Sequence, residues 1–319
     1  MNKGQERQWR FQLARLLVWL SLLTSSATLF AFAARWWWPF ELLSHFRLHY
    51  LLMLAPLTVG LLIAKRYTVA FLTVCCLVWN LTLVVPDFVG PPDHVGRSFP
   101  LRLMSSNVLT RNRNYEQFLQ TVRAENPDVL LVMEIDDSWV RALEKLRAEY
   151  PYGESAPRAD NFGIGLFSKV PVEEIKLIYI GSAGAPSIQV VLTVGDAKVN
   201  VLGTHPMPPI ARRSALRNEQ LVAVADLVAA MKGPTILAGD LNTTPWSPFF
   251  GDLLDRTGLR DSRCGFGNQA TWPSRFGAAG IPIDHVLVSD DISVRNRHVG
   301  SILGSDHRSV ITDLLIHCD

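Results

Sequence analysis

Long apolar runs are confined to the first 90 residues of the chain. Three of them, at residues 16–34, 48–64 and 68–85, contain no Asp, Glu, Lys or Arg. Each run approaches the ~20 residues that a helix needs to cross ~30 Å of hydrocarbon. Core helices of a soluble protein are the alternative, but such helices carry a polar face, and these runs have almost none. The pattern therefore predicts three transmembrane helices in a membrane anchor at residues 1–89.

Basic residues around the apolar runs predict how the chain is oriented. Six of them flank one side of the predicted spans, and two flank the other side. Because Lys and Arg concentrate in cytoplasmic loops, we expect a cytoplasmic N-terminus and an extracytoplasmic chain after the third span. The sequence thus predicts a multi-pass protein of the cell (inner) membrane. The six residues are Lys3, Arg7, Arg10, Arg15, Lys65 and Arg66, and the two are Arg35 and Arg47.

The first apolar run has a second interpretation, as a secretory signal peptide. Ala31, Phe32 and Ala33 match the small-x-small pattern of a cleavage site. The run is long for a signal peptide and two more spans follow, so we favour a retained anchor. Cleavage would leave the orientation of the remaining chain unchanged.

Residues 90–100 are rich in Gly and Pro, which predicts an extended linker to a domain at residues 101–319. In that domain, short apolar runs alternate with amphipathic segments, and the turn at Gly195-Asp196 joins two strands in a hairpin. Hairpins mixed with helices favour an α/β (α+β) sandwich over a doubly wound sheet. The predicted strands are 101–107, 128–133, 163–168, 188–194, 198–204, 234–239, 283–289 and 309–317, and the predicted helices are 115–125, 138–150 and 211–231.

Composition agrees with this division of the chain. Hydrophobic residues make up 48% and charged residues only 19%, against about 25% in ordinary soluble domains. A disordered chain, a collagen-like fibre and a disulfide scaffold are excluded, and a net charge of +2 does not by itself indicate a protein that coats nucleic acid. Cys75 and Cys76 lie within the third run, whereas pairing of Cys264 with Cys318 stays open.

Polar side chains follow several of the predicted strands, at the points where the apolar runs end. They are rich in carboxylate and amide oxygens and poor in thiols, which favours Mg²⁺, or else Mn²⁺ or Ca²⁺, over structural zinc. Histidines that are not metal ligands remain available for proton transfer, and a carboxylate can orient one of them as a base. These are the components of phosphoester hydrolysis. The residues are Asn107, Glu134, His205, Asp240, Asn242, Asp284, His285, Asp306 and His307.

The short motifs that carry these residues resemble the endonuclease/exonuclease/phosphatase superfamily, which has the fold of pancreatic deoxyribonuclease. The resemblance covers residues 101–316 and rests on all the motifs in their order. It implies a four-layer sandwich of two mainly antiparallel β-sheets flanked by helices, here preceded by three transmembrane helices. The motifs are Ser106-Asn107, Glu134 after Leu130-Leu131-Val132, Thr204-His205, Gly239-Asp240-Leu241-Asn242, Ile283-Asp284-His285 and Ser305-Asp306-His307.

The resemblance also implies roles in metal and phosphate binding. Glu134 would be the main Mg²⁺ ligand, with Asn107 nearby and Asp306 assisting through a second metal position or a water. Asp240 would position the attacking water, and Asn242 would bind the phosphate.

Three further residues have implied roles in proton transfer. His307 would be the general base, held in the required tautomer by Asp284, and His205 would bind the phosphate or protonate the leaving oxygen. Two positions depart from the family pattern. Met133 stands where Gln more often precedes the glutamate, and Leu109 stands where apurinic endonucleases carry an acid, which argues against abasic-site repair.

Side chains around the site each have two interpretations. Arg212, Arg213 and Arg217 either contact phosphates or form a solvated helix face. The aromatic residues either stack on a base, touch lipid or pack under the rim. These aromatic residues are Trp246, Phe249, Phe250 and Trp272.

The function favoured by these expectations is that of a membrane-anchored, divalent-metal-dependent phosphodiesterase, nuclease-like, which uses activated water. One alternative is a phospholipase C-like or sphingomyelinase-like activity, or another phosphatase activity, at the membrane surface. A further alternative is an inactive binding scaffold on the same fold. Expected partners are a phosphodiester substrate (nucleic acid or phospholipid head group) and the lipid bilayer, and no obligate protein partner is inferred.

Overall fold

The computed structural model describes residues 3–90 and 96–317. The chain forms two compact units. The first comprises Met1–Pro86 together with Trp246–Pro248, and the second comprises Asp87–Pro245 and Phe249–Asp319.

The first unit consists of helices, named α1 to α4 in chain order. They are α1 (Lys3–Phe30), α2 (Trp38–Ser44), α3 (Arg47–Ile63) and α4 (Tyr67–Val84), with a 3₁₀ turn after α1.

Two apolar helical segments, Gly4–Ala33 and Tyr67–Phe88, are long enough to span a membrane. A third span results if α2 and α3, which meet at a bend of 64°, cross the membrane together. The short helix α2 was not predicted, because the sequence between the first two apolar runs contains charged and aromatic residues that favour a loop. The orientation inferred from the basic residues stays a prediction.

Polar contacts join three helices of the first unit. Arg47 is buried at the start of α3 and donates to the Thr28 carbonyl at 3.2 Å and to Asn80 Oδ1 at 3.3 Å. Asn80 on α4 donates in turn to Thr28 Oγ1 at 3.0 Å. Because apolar surface gains little by moving from lipid to a neighbouring helix, polar contacts of this kind hold membrane helices together.

The described residues of the second unit form two six-stranded sheets and four α-helices. In the first sheet the strand order is β11-β12-β1-β2-β4-β3, and in the second it is β5-β6-β7-β8-β10-β9. Only β1 with β2 and β7 with β8 pair in parallel among the described strands. The strands are β1 (Ser98–Asn107), β2 (Val129–Met133), β3 (Tyr152–Ala156), β4 (Ile164–Ser168), β5 (Val172–Tyr179), β6 (Pro186–Val194), β7 (Ala197–Gly203), β8 (Thr235–Asp240), β9 (Arg260–Asp261), β10 (Asp284–Val288), β11 (Ile292–Ile302) and β12 (Arg308–His317), and the helices are α5 (Tyr115–Glu125), α6 (Asp137–Leu143), α7 (Arg212–Ala229) and α8 (Pro248–Thr257).

The layers follow from the pleat of the strands, in which successive side chains point to opposite faces. Leu103 of β1 faces the core between the two sheets, and its neighbour Met104 faces α5 and α6. The second sheet is covered in the same way by α7 and α8 through Leu221 and Phe250. The unit is therefore a helix–sheet–sheet–helix sandwich with mainly antiparallel sheets, which confirms the predicted fold class.

Most predicted elements are present, with small shifts at their ends. The helix α5 has the predicted bounds, and the β6–β7 hairpin forms with Val194 opposite Ala197. The predicted helix at 138–150 is too long, because α6 ends at Leu143 and a 3₁₀ turn continues only to Leu146. Elements that the sequence did not predict are α8, β3, β5, β9 and β11.

Two expectations fall partly or wholly outside the described residues. Residues 91–95 of the predicted linker are not described, and β1 begins at Ser98, before the linker was expected to end. The pairing of Cys264 with Cys318 is untested because residue 318 is not described.

Candidate active site

The strand pairing brings the predicted site residues to one edge of the sandwich. Asn107 ends β1 opposite Met133, the last residue of the parallel strand β2, so that Glu134 follows beside it. In the second sheet, Asp240 ends β8 and pairs with Asp284, the first residue of the antiparallel strand β10. The eight residues to which the family resemblance gives a role lie at this edge of the described structure. His285, the ninth polar residue, is buried and its Nε2 is hydrogen-bonded to the Thr243 carbonyl.

Glu134 is the central residue in the part of the site that the first sheet provides. Its backbone has a φ of 60°, in the left-handed region that residues other than glycine rarely adopt. Thr110 supports this conformation, since its hydroxyl donates to the Glu134 carbonyl at 3.0 Å. Strained backbone of this kind is concentrated at functional sites. Burial raises the pKa of the Glu134 carboxyl above its ordinary value, against the lowering effect of His205 and Asn107.

Asn107 connects the two halves of the site. Its Nδ2 donates to Glu134 Oε1 at 2.9 Å and to Asp240 Oδ2 at 3.2 Å. A single buried donor group therefore lies between two carboxylates that belong to different sheets. Its Oδ1 accepts from the backbone N–H of Leu109 at 3.1 Å, which fixes the side chain.

The Gly239-Asp240-Leu241-Asn242 segment is shaped by its glycine. Gly239 has a φ of 146°, and a Cβ there would collide with the carbonyl oxygen of Thr204 on the neighbouring chain segment. Asp240 then accepts from the backbone N–H of Asn242 at 2.9 Å through its Oδ1. Only glycine permits this close approach, which places Asp240 beside His205.

Asn242 and His205 lie together at one wall of the candidate site. Asn242 has a φ of 51°, and its Nδ2 donates to the Pro206 carbonyl at 3.0 Å and lies 3.4 Å from His205 Nε2. The same imidazole nitrogen lies 3.3 Å from Asp240 Oδ2. Burial lowers the pKa of His205, but the adjacent Asp240 outweighs burial and the net pKa is raised.

His307 is held between two carboxylates. Its Nδ1 is hydrogen-bonded to Asp284 Oδ2 at 2.9 Å, and its Nε2 lies 3.6 Å from Asp240 Oδ2. Burial opposes a positive charge here, but Asp284 and Asp240 outweigh it and raise the pKa of His307 to about 10. For Asp240, burial raises the pKa, and the charges of His307 and His205 outweigh burial and lower it below its ordinary value.

Asp306 borders the site on a tightly bonded turn. Ser305 Oγ donates to the Asn107 carbonyl at 2.7 Å and accepts from the backbone N–H of His307 at 3.0 Å. Trp272 Nε1 donates to Asp306 Oδ2 at 3.2 Å. The other oxygen, Oδ1, is buried and has no hydrogen-bond partner among the described residues, so it is available to a cation or a water.

The donor set fits a hard divalent cation. Ligand atoms of Asp240, Asp284 and His307 all lie within 4.8 Å of one another. Glu134, which accepts a hydrogen bond from Asn107, adds a further carboxylate. Asp306 Oδ1 adds a buried oxygen that has no hydrogen-bond partner among the described residues. Carboxylate and amide oxygens are the ligands that Mg²⁺ and Mn²⁺ prefer.

The structure corrects the expectation for one basic residue. It also shows contacts of Trp272 and Ser305 that the sequence did not predict, and a site residue, Thr110, that sequence reasoning missed. Arg217 is fully buried, so it neither contacts solvent-side phosphates nor belongs to a solvated face. Its guanidinium donates to the Asn242 carbonyl at 3.3 Å and lies over the Phe249 ring. Its position on the apolar stripe of α7, in line with Leu221 and Val224, is the signal that could have indicated burial. For the contacts of Thr110, Trp272 and Ser305 the sequence holds no comparable signal, because their partners Glu134, Asp306 and Asn107 are distant along the chain.

Residues 104–307 match the model of the Endonuclease/Exonuclease/phosphatase family. The chain belongs to this family. The family name describes enzymes that cleave phosphoesters, and the resemblance inferred from the motifs is thereby confirmed. No curated protein matches the sequence significantly.

Solved structures with the family fold cover about the same part of the chain. An endonuclease/exonuclease/phosphatase from Beutenbergia cavernae is 22% identical, with a TM-score of 0.56 over 69% of this chain and 72% of its own. TDP2 from D. rerio, complexed with a single-strand DNA product, is 16% identical, with a TM-score of 0.57 over 67% of this chain and 98% of its own. Sphingomyelinase C from Streptomyces griseocarneus is 17% identical, with a TM-score of 0.51 over 68% of this chain and 99% of its own. At these identities the likeness establishes the fold.

Proposed function

We propose that this protein is a membrane-anchored, divalent-metal-dependent phosphodiesterase that hydrolyses its substrate by attack of activated water. The observation that carries the proposal is the arrangement of His307, which is bonded to Asp284 on one side and faces Asp240 on the other. A buried imidazole with one nitrogen fixed by a carboxylate and the other directed into a polar crevice is the arrangement of a general base.

Three residues would hold the cation. Glu134 would be the central ligand, Asn107 would contribute its amide oxygen, and Asp306 would contribute Oδ1, which has no hydrogen-bond partner among the described residues. When bound, a divalent cation supplies Lewis-acid stabilisation of the phosphoryl oxygens and lowers the pKa of water.

Proton transfer is assigned to His307. Hydrogen bonding to Asp284 Oδ2 fixes the Nδ1–H tautomer, so that Nε2 is the nitrogen that accepts a proton from water. A His307 with a pKa of about 10 is protonated at neutral pH and cannot act as a base. A cation bound by Glu134 and the neighbouring carboxylates would lower the pKa of His307, so that Nε2 could accept a proton. Asp240 would orient the attacking water, since its Oδ2 lies near His307 Nε2.

The phosphate would be bound on the side of His205 and Asn242. Both side chains are within 3.4 Å of each other and can donate N–H groups into the same space. The raised pKa of His205 favours the protonated imidazole, which suits charge stabilisation or protonation of the leaving oxygen.

The substrate is proposed to be a nucleic acid, with a phospholipid head group as the alternative. TDP2 of D. rerio was captured with a single-strand DNA product, and sphingomyelinase C represents a lipid-directed relative of the same fold. The apolar helices favour the lipid alternative by proximity to a bilayer. An inactive scaffold is less favoured because every predicted site residue is present at one edge of the sandwich.

The test uses the full-length protein purified in detergent. We expect hydrolysis of bis-p-nitrophenyl phosphate that requires Mg²⁺ or Mn²⁺ and is abolished in Asp240→Ala and His307→Ala. Asp290→Asn, which changes an exposed carboxylate, is the matched control. DNA, RNA and phospholipid vesicles assayed in parallel identify the substrate class. Turnover that is absent with both metals, or equal in the wild type and the two site variants, would support the scaffold instead.

Membrane placement is tested separately. We expect the protein to remain in the membrane fraction after carbonate extraction and a reporter fused to the C-terminus to report an extracytoplasmic position. A cytoplasmic signal from that reporter would overturn the proposed orientation without affecting the proposed chemistry.

A further inference from the structure

The segment Asp87–Gly90 is bound tightly to the turn that follows β9. The Asp87 carbonyl accepts from the backbone N–H groups of Gly265 at 3.0 Å and Gly267 at 2.8 Å. A Cβ at Gly265, whose φ is 91°, would lie 2.7 Å from the Cα of Gly90. The two stretches of chain therefore approach as closely as backbone allows, although the sequence alone places Asp87 within the anchor.

The Asp87 side chain enters a group of buried charges. Its Oδ1 accepts from Arg263 Nη2 at 2.6 Å, and the two side chains are 5% and 1% exposed. Arg263 also pairs with Asp261 at 3.3 Å, and Asp261 lies 4.0 Å from His285 Nδ1. These four residues, together with the buried Arg297, are called the ion cluster below.

The charges of the ion cluster depend on one another. Burial raises the pKa of Asp261, but Arg263, His285 and Arg297 outweigh burial and hold the carboxyl below its ordinary pKa. Since a buried charge without a counter-charge is strongly unfavourable, loss of one member disturbs the arrangement of the rest.

The ion cluster contacts the backbone at two places in the candidate site, next to Asn242 and at Asp284. His285 Nε2 is hydrogen-bonded to the carbonyl of Thr243, the residue after Asn242, at 2.9 Å. Arg297 Nη2 donates to the carbonyl of Asp284 at 3.3 Å. A series of buried polar contacts thus runs from Asp87 through Arg263, Asp261 and His285 to the loop of Asn242. Arg297, whose charge acts on Asp261, contacts the residue that orients His307.

We propose that Asp87 is a positioning residue of the active site and that the functional catalytic unit begins at Asp87 rather than after the linker. Asp87 neutralises Arg263 and so keeps the ion cluster in the arrangement that holds the loops of Asn242 and Asp284. Its effect on turnover rests on the phosphodiesterase function proposed above, whereas its effect on loop order does not.

The first experiment compares Asp87→Asn with the wild type, both as full-length protein in detergent. We expect kcat for bis-p-nitrophenyl phosphate to fall at least ~tenfold, because small displacements of catalytic groups are costly, while KM stays within ~twofold. The matched control is Asp226→Asn, which removes a carboxylate from an exposed ion pair with Arg256. The control is expected to keep both constants.

Hydrogen exchange gives a readout that does not depend on turnover. In Asp87→Asn, peptides covering residues 241–245 and 283–288 are expected to exchange faster, whereas the helix α5 is expected to be unchanged. If the wild type shows no metal-dependent turnover, the proposed function fails, and the exchange result still decides the role of Asp87. Unchanged exchange in these two peptides, or an unchanged kcat in an active protein, overturns the positioning role.

A second variant separates positioning from overall stability. Asp87→Asn combined with Arg263→Gln removes one charge of each sign, and Asp261 keeps Arg297 as a counter-charge, so the double variant is expected to fold even if the single variant does not. We expect its thermal unfolding to approach that of the wild type while kcat stays low and the two loop peptides still exchange fast. Recovery of kcat and exchange together with stability would show that Asp87 has only a structural role.

Discussion

His307 Nδ1 lies 2.9 Å from Asp284 Oδ2, and its opposite nitrogen lies 3.6 Å from Asp240 Oδ2. The imidazole is thus bound at one end and faces the candidate reaction space at the other. Asp284 and Asp240 are opposite one another across two antiparallel strands, so the distance between them is set by the sheet itself.

This relationship predicts a strong and non-additive effect of breaking the pair. Asp284→Asn is expected to lower kcat about 10²–10⁴-fold, because the amide no longer selects the Nδ1–H tautomer. Combining it with His307→Ala is expected to add little to the loss from His307→Ala alone, since the two residues act as a unit. Steady-state kinetics on a soluble diester measures kcat of the single and double variants. If the fold-losses in kcat of the two single variants multiply in the double variant, the residues act independently.

The stability of the metal-free protein is expected to depend on pH through His307. Its pKa is raised from 6.5 to about 10 in the folded state, so protonation favours folding. This contribution is fully present below pH 6.5 and is lost as the pH rises through about 10. Thermal unfolding in EDTA should show a falling midpoint over that interval, and His307→Gln should flatten the profile. His298→Gln changes an exposed histidine and should keep the wild-type profile; an equal flattening there would contradict the assignment.

Glu134→Gln is expected to reduce metal binding while sparing the metal-free fold. Burial raises the pKa of this carboxyl, which shows that its negative charge is unfavourable without a cation. The neutral amide should therefore keep or raise metal-free stability, by about 1 kcal/mol, while the Mg²⁺ concentration for half-maximal activity rises at least ~tenfold. Thermal unfolding and a metal titration measure the two effects. Glu116→Gln, on the exposed face of α5, is the control and should change neither.

Arg217→Met is expected to lower both stability and turnover. It removes the charged donor to the Asn242 carbonyl, and a hydrogen bond to a charged group is worth about 1.5–3 kcal/mol. Asn242 has a left-handed backbone, so its position depends on such support. Arg213→Met on the exposed side of the same helix should change stability by no more than about 0.5 kcal/mol. Chemical unfolding and kcat of both variants decide; similar results for the two positions would show that Arg217 is not a support of the loop.

The sequence was sufficient for the parts of the structure that depend on local pattern. Strands such as β2 and β8 are continuous apolar runs followed at once by a polar residue, which identified Glu134 and Asp240 as neighbours at a sheet edge. The helix α5 buries Phe118, Leu119 and Val122 on one face, so its periodicity was unambiguous.

The missed strands lack that pattern for physical reasons. The strand β5 lies at the edge of its sheet and has no regular alternation of buried and exposed positions. The strand β11 is also an edge strand, and two register shifts against β12 break its period of two. The helix α8 begins with Pro248 and contains Gly251, which in sequence favour a loop.

Contacts between residues far apart in the chain could not be predicted from the spacing of residues in the sequence. The Asp87–Arg263 pair joins positions that are 176 residues apart, and the burial of Arg217 depends on what packs against its helix. Trp272 and Ser305 support the site through hydrogen bonds to Asp306 and to the Asn107 carbonyl. Only the folded chain shows these contacts, because no local period or motif encodes them.

The opposition of Asp240 and Asp284 across β8 and β10 also limits how this chain can change length during evolution or engineering. A deletion or insertion of one residue inside either strand would turn the side chains on one side of the change to the other face of the sheet. Asp240 at the end of β8, or Asp284 at the start of β10, would then point away from His307, even though no chemically important residue had been replaced. We therefore expect families of functional variants to differ freely in the size of the outer loops while keeping these two strands free of gaps.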